Sequence, residues 1–147
     1  MSDVKRIIIP VDFMQYTHRL VDYGLCMAQK LGMTVQFIHV ADLGKGNDAM
    51  LGVPISQSME KQLLANAKEK MTDLVQDSQE KVQGCTGNVV SGDTVDQIID
   101  FAGWPGVDLI IIGTHGARGL EKILLGSTAE RIVKRSPCPV LIMNPCT

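Results

Sequence analysis

Five short apolar runs punctuate the 147-residue chain, at residues 7–11, 35–40, 88–90, 107–112 and 139–143. Four of them are rich in β-branched residues and nearly continuous rather than alternating. That is the pattern of parallel strands covered on both faces. The run at 88–90 is the shortest, and glycines flank it. Helical periodicity fills the intervals. Val21, Leu25, Ala28 and Leu31 share one face, with Gly32 placed to end the helix. Met59, Leu63, Ala67, Met71, Leu74 and Val75 predict a long helix over 57–83. Val95, Ile98, Ile99 and Ala102 predict a third, opened by Thr94-x-x-Gln97 read as a capping box. Leu125, Ala129, Ile132 and Val133 predict a fourth, ended by Ser136-Pro137. Strands and helices alternate throughout. With right-handed crossovers, residues 1–147 form one α/β domain, an open, doubly wound, five-stranded parallel sheet with helices on both faces.

Composition excludes several other classes. Hydrophobic residues make up 45% of the chain and charged residues 20%, so it can build a core. A formal net charge of −2 lacks the basic excess of a nucleic-acid binder, and only six aromatic residues are available for base stacking. No nucleic-acid partner is expected. No apolar run reaches the length of a membrane span. The opening MSDVKRIIIPVDF meets Asp12 before the apolar core of a signal peptide is complete, so cytoplasmic residence is the expectation. Cys26, Cys85, Cys138 and Cys146 contain no C-x-x-C pair, and the three histidines form no metal motif, so no structural metal site is expected.

In an open α/β sheet, ligands bind beyond the carboxyl ends of the strands, where the strand order reverses. Three such ends carry candidate residues: Pro10-Val11-Asp12, Val40-Ala41-Asp42 and Gly113-Thr114-His115-Gly116. The last continues as GTHGARGLEKILLGSTAERIVKRS. This is neither a Walker A loop nor G-x-G-x-x-G, yet it has the parts of a phosphate cradle. Gly113 and Gly116 permit close backbone approach, and Gly126 precedes a helix N-terminus that favours negative charge. Across residues 113–135, Arg118, Lys122, Arg131, Lys134 and Arg135 face only Glu121 and Glu130, a local net charge of +3. A purely structural reading also fits. Ser127-x-x-Glu130 is a capping box, and the glycines serve turns.

The combination G-x2-G-x9-G-S at Gly113, Gly116, Gly126 and Ser127 resembles the signature of universal stress proteins of the nucleotide-binding type. The opening strand ending in Pro10-Val11-Asp12 matches that family, as do His39-Val40, the lead-in Val107-Asp108-Leu109-Ile110-Ile111-Ile112-Gly113 and the close Ser136-Pro137-Cys138-Pro139-Val140-Leu141. The resemblance covers essentially the whole chain. Residues 84–91 and the Gly-rich loop at 42–52 depart from it. It implies strand order 3-2-1-4-5, an ATP or other adenine-nucleotide site, room for Mg²⁺ or Mn²⁺ bound through the phosphates, and a homodimer. Carried onto this chain, Pro10, Val11 and Asp12 would border the adenosine. Val40 would meet adenine through its backbone. Gly113, Gly116, Gly126, Ser127 and Thr128 would hold the phosphates. Thr114 and Arg118 complete the set, with Arg118 as a phosphate or dimer contact. The dimer would form through the C-terminal run, which that order makes an edge strand.

Individual residues carry alternatives. Asp12 could instead make an Asx turn or cap the next helix. His115 has no evident carboxylate partner, His39 reads as a satisfied core or rim histidine, and Cys138 lacks a base. The expected function is a nucleotide-binding regulatory protein of the stress-response type. The competing reading is a slow ATP-hydrolysing or phosphoryl-transferring enzyme. Such an enzyme needs a positioned base and a metal ligand set, and Asp12 alone offers a carboxylate here.

Overall fold

The computed structural model describes residues 5–43, 56–114 and 125–145. Strand β1 (Arg6–Pro10) leads into helix α1 (Thr17–Leu31), then β2 (Thr34–Ala41), α2 (Gln57–Gln79) and β3 (Thr86–Ser91). Helix α3 (Thr94–Ala102), β4 (Val107–Gly113), α4 (Ser127–Arg135) and β5 (Val140–Met143) follow. All strand pairs are parallel, and the sheet order is β3-β2-β1-β4-β5. The predicted sheet is thus the observed one.

The continuous apolar runs are explained by two separate cores. Ile7, Ile9, Val35, Phe37 and Ile111 pack with Leu20, Val21, Leu25 and Ala28 of α1 and Met71 of α2 on one face. Ile8, Ile38, Ile110 and Ile112 pack with Val95, Ile98, Ala129 and Ile132 of α3 and α4 on the other. Side chains alternate along a strand, so a strand buried on both sides must be apolar at every position. Gln36 is the polar exception on β2. It is 4% exposed, accepts from Arg6 Nη1 at 3.1 Å and donates to Asn88 Oδ1 at 2.8 Å. A polar group at that depth is tolerated because both ends of its amide are paired.

Local details follow the sequence with some corrections. Gly32 closes α1 in the left-handed conformation, φ 66°, with its N–H on Ala28 and Gln29 carbonyls. Helix α2 stops at Gln79, short of the predicted 83, and Lys81 and Val82 both donate to the Ser78 carbonyl in the turn that closes it. Strand β3 is twice the predicted length. As an edge strand it is only half-buried, so its sequence lacks a continuous apolar run. Two predicted capping boxes are absent. Asp93, not Thr94, caps α3, accepting from Asp96 N at 2.9 Å. Gly126 occupies the cap of α4, which puts Ser127 inside the first turn with no cap bond, and Glu130 pairs with Lys134 instead.

Candidate functional site

The chain steps from β1 outward to β2 and β3, then crosses back to place β4 on the other side of β1. Connections leaving β1 and β4 diverge to opposite faces, and a crevice opens between them at the carboxyl ends of the strands. A cleft of about 680 Å³ lies there, within the range of small-molecule sites. Pro10, Val11, Asp12, Val40, Gly113, Thr114, Gly126, Ser127 and Thr128 all line it. These nine candidates are therefore brought to one place, whereas Ala41 and Asp42 of the β2 end do not line it. Gly116, Arg118 and His115 lie outside the described residues.

The β1 side is built by a sharp exit from the sheet. Val11 N–H still donates to the Ile38 carbonyl at 2.9 Å, but pairing ends there. Asp12 Oδ1 accepts from Met14 N at 2.9 Å and from Thr17 Oγ1 at 3.0 Å. This is the Asx turn that the sequence offered as the alternative to a ligand role for Asp12. Both bonds fall on one oxygen, and Oδ2 keeps its acceptor capacity. His39 proves to be a satisfied rim histidine. Its Nδ1 lies 2.8 Å from the Val11 carbonyl, and its ring meets that of Phe13 at a centroid distance of 4.8 Å.

The β2 side presents backbone. Ile38 gives its carbonyl to Val11 on the β1 side, whereas Ala41 gives its carbonyl to Gly92 N at 3.2 Å on the β3 side. Alternation along a parallel strand then turns the Val40 N–H and C=O toward β1, one step beyond the last β1–β2 pair, Pro10–Ile38. Among the described residues neither group of Val40 has a backbone partner on that side. One donor and one acceptor thus sit side by side at the cleft wall.

The β4 side ends in the start of α4. Gly126 N–H donates to the Thr114 carbonyl at 3.0 Å, and Thr114 N–H to the Met143 carbonyl at 2.8 Å. A Cβ on Gly126 would sit 2.8 Å from that same Thr114 oxygen, so glycine is required by contact. Its φ of −59° is open to any residue. Among the described residues no side chain caps α4, and its first N–H groups and dipole face the cleft at Ser127 and Thr128. Arg131 and Arg135 reach Asp93 and Asp96 at 4.0 and 2.8 Å, tying the start of α3 to α4.

Several lining residues escaped the sequence reading. Tyr16, Thr17 and Leu20 come from the start of α1, Thr94 and Ile98 from α3, and Pro145 from beyond β5. A threonine five residues after Asp12 was a usable signal for Thr17. Pro145 had none, since it is held by a long-range bond from Arg19 Nη1 to its carbonyl at 3.3 Å. Among the described residues no group of three His, Cys, Asp or Glu side chains could hold a metal. No helix among them is long and apolar enough to cross a membrane. Cys138 hydrogen-bonds locally to Ser136. Burial pushes the Cys85 thiol above its ordinary range, and a backbone hydrogen bond at Val35 partly opposes that.

The sequence model of the universal stress protein family matches residues 3–144. Universal stress protein MJ0531 of Methanocaldococcus jannaschii is 30% identical over 143 residues, spanning 95% of this chain and 82% of that protein. The structure of universal stress protein UspA from Lactobacillus plantarum superposes with a TM-score of 0.79 at 22% identity, covering 96% and 98% of the two chains. A universal stress protein from Archaeoglobus fulgidus in complex with dAMP superposes at 0.62 with 20% identity, covering 94% and 96%. Sequence signature, strand order and these likenesses converge, and the chain belongs to the universal stress protein family.

Proposed function

We propose that this protein binds an adenine nucleotide, ATP in the first instance, in the cleft between β1 and β4, and acts as a regulatory binding protein. The observation that carries the reading is a division of labour inside one cleft. Val40 offers a backbone donor and acceptor on one wall, suited to the edge of a base. The start of α4, which no described side chain caps, offers N–H groups on the opposite wall, suited to phosphate. Asp12 lies between with a free carboxylate oxygen for ribose or base. The dAMP bound by the A. fulgidus relative supports an adenine nucleotide as the ligand class.

In this reading Pro10, Val11 and Asp12 border the nucleoside. Gly113, Thr114, Gly126, Ser127 and Thr128 hold the phosphates, with Gly116 and Arg118 proposed to contribute as well. A Mg²⁺ or Mn²⁺ ion would be carried by the phosphates. Asp12 is the one carboxylate among the described lining residues, and its Oδ1 is already engaged. That arrangement favours binding over turnover, because phosphoryl transfer needs a free positioned base and charge stabilisation in line. The protein is read as cytoplasmic and homodimeric through β5, which lies at the sheet edge.

Purified protein should carry or take up adenine nucleotide. Calorimetric titration with ATP, AMP and GTP, together with chromatography of the mixture for product, tests the reading. Absence of any adenine-nucleotide binding, or equal affinity for GTP, overturns it, and rapid turnover makes the protein an enzyme.

A further inference from the structure

Phe13 is the only non-glycine residue with positive φ among the described residues, at 59°. A side chain costs about 1–2 kcal/mol in that conformation relative to glycine. Strain of this kind persists only where surrounding contacts hold it, and it concentrates at functional sites. Here the contacts are explicit. The Phe13 ring packs against the core under α1 and α2 and against the His39 ring. His39 Nδ1 lies 2.8 Å from the Val11 carbonyl. A carbonyl can only accept, so Nδ1 carries the proton and donates.

That bond occupies a particular acceptor. Val11 N–H is bonded to Ile38 O, so the next rung of the parallel ladder would run from Val40 N–H to Val11 O. The rung is absent, and the His39 side chain holds the Val11 oxygen in its place. We propose that Phe13 and His39 act as a positioning latch: the left-handed turn at Phe13 bends the chain off the sheet, and His39 takes the Val11 carbonyl, which together keep the Val40 N–H free to read a nucleobase. The same turn presents Asp12 with its Oδ1 bonded to Met14 N. Phe13 and His39 touch no ligand in this scheme and act through Val11, Asp12 and Val40. The inference deepens the adenine-nucleotide reading and rests on it for the identity of the ligand.

Three variants and two readouts test the latch. His39→Leu removes the donor. His39→Asn removes the ring but keeps an N–H near the position of Nδ1. Phe13→Gly relieves the positive φ and removes the ring. Amide hydrogen exchange without nucleotide reports the ladder directly. In the wild type the Val40 amide should exchange at least tenfold faster than that of Ile38. In His39→Leu it should slow by at least tenfold, as Val40 N–H closes onto the vacated Val11 oxygen. ATP affinity should fall about tenfold in His39→Leu and about fivefold in Phe13→Gly, and return to within threefold in His39→Asn.

Should His39→Leu fail to fold, Phe13→Gly and the wild-type exchange rates still decide. A Val40 amide as protected as Ile38 in the wild type overturns the latch. So do folded Phe13→Gly and His39→Leu proteins that bind ATP like the wild type, and either result leaves the adenine site standing. A wild type that binds no adenine nucleotide, yet shows the predicted exchange pattern, instead overturns the site reading and the latch's role in binding while leaving its geometry.

Discussion

Gly126→Ala separates a demand of local packing from one of backbone conformation. The added Cβ would lie 2.8 Å from the Thr114 oxygen, which also accepts the Gly126 N–H at 3.0 Å. Relief to an ordinary contact needs a displacement of about half an ångström, and backbone cannot give as a flexible side chain would. Overpacking costs about 1–3 kcal/mol, and weakening the shared hydrogen bond adds about 0.5–1.5 kcal/mol. A loss of about 2–3 kcal/mol lowers Tm by roughly 5–10 °C in a chain of this size. The displaced residues open α4 beside the cleft, so phosphate-bearing ligands should lose at least one well-aligned N–H contact, about tenfold in affinity. Gly32→Ala is the control. Gly32 has φ 66° with nothing within 4 Å of an added Cβ, so its cost is conformational, about 1–2 kcal/mol. It lies at the C-terminus of α1, away from the cleft. Thermal unfolding by circular dichroism and calorimetric titration with ATP should show Gly126→Ala losing both stability and affinity, and Gly32→Ala losing stability alone. Wild-type stability and affinity in Gly126→Ala would refute the close-approach argument. Equal affinity losses in the two variants would refute its link to the ligand.

Asp12→Ala should cost about 1–2 kcal/mol from the two lost hydrogen bonds and also weaken ATP binding, whereas Asp12→Asn should retain most of the stability but not the affinity, read by the same two methods. At the β5 edge, Ile110 N donates to Pro139 O and Thr114 N to Met143 O, so alternation points the Leu141 N–H at β4 and the Ile142 N–H outward. Ile142→Pro should therefore give a folded monomer, and Leu141→Pro a damaged sheet; an Ile142→Pro dimer by light scattering would remove β5 from the interface. Gly116→Val should abolish ATP binding in a folded protein if that glycine contributes to the cradle, and unchanged affinity by calorimetry would remove it from the site. Cys85 is neutral and buried, with a raised pKa, so it adds no pH dependence below the ordinary thiol range near 8.5. Above that value the unfolded chain ionises first, and Cys85→Ala should flatten the fall in stability with rising pH measured by urea titration.

The fold was legible because burial on both faces leaves a mark on sequence. β1, β2 and β4 lie inside the sheet and read as continuous apolar runs. The edge strand β3, whose residues are half-buried or exposed, showed only its centre. Cap positions were less legible, because a capping box and a Ser or Thr at the first helical position share one sequence pattern. At α3 the neighbouring Asp93 took the cap, and at α4 Gly126 did, with only the backbone to show it. The long-range members of the cleft were silent for a different reason. Pro145 reaches it through a bond to Arg19, 126 positions earlier in the chain, and no local pattern encodes that.

The legible part of the site was its spacing, and the structure gives the reason. In the proposed site the polar groups offered by Val40 and the start of α4 are main-chain N–H and C=O groups, so the side chains at Val40, Ser127 and Thr128 would be weakly constrained by the chemistry they frame. What sequence must supply is room and path: glycine where a Cβ would strike the Thr114 carbonyl, and a fixed interval from the end of β4 to the start of α4. A site read by backbone has a further consequence. Its selectivity depends on which ladder bonds are withheld, and a withheld bond leaves a polar group that must be satisfied elsewhere. On the β1–β2 seam His39 supplies that satisfaction for the Val11 carbonyl. Under the proposed function, the Val40 groups at the same seam would be left for a ligand that can match one donor and one acceptor, which adenine does along one edge and guanine cannot do in the same orientation.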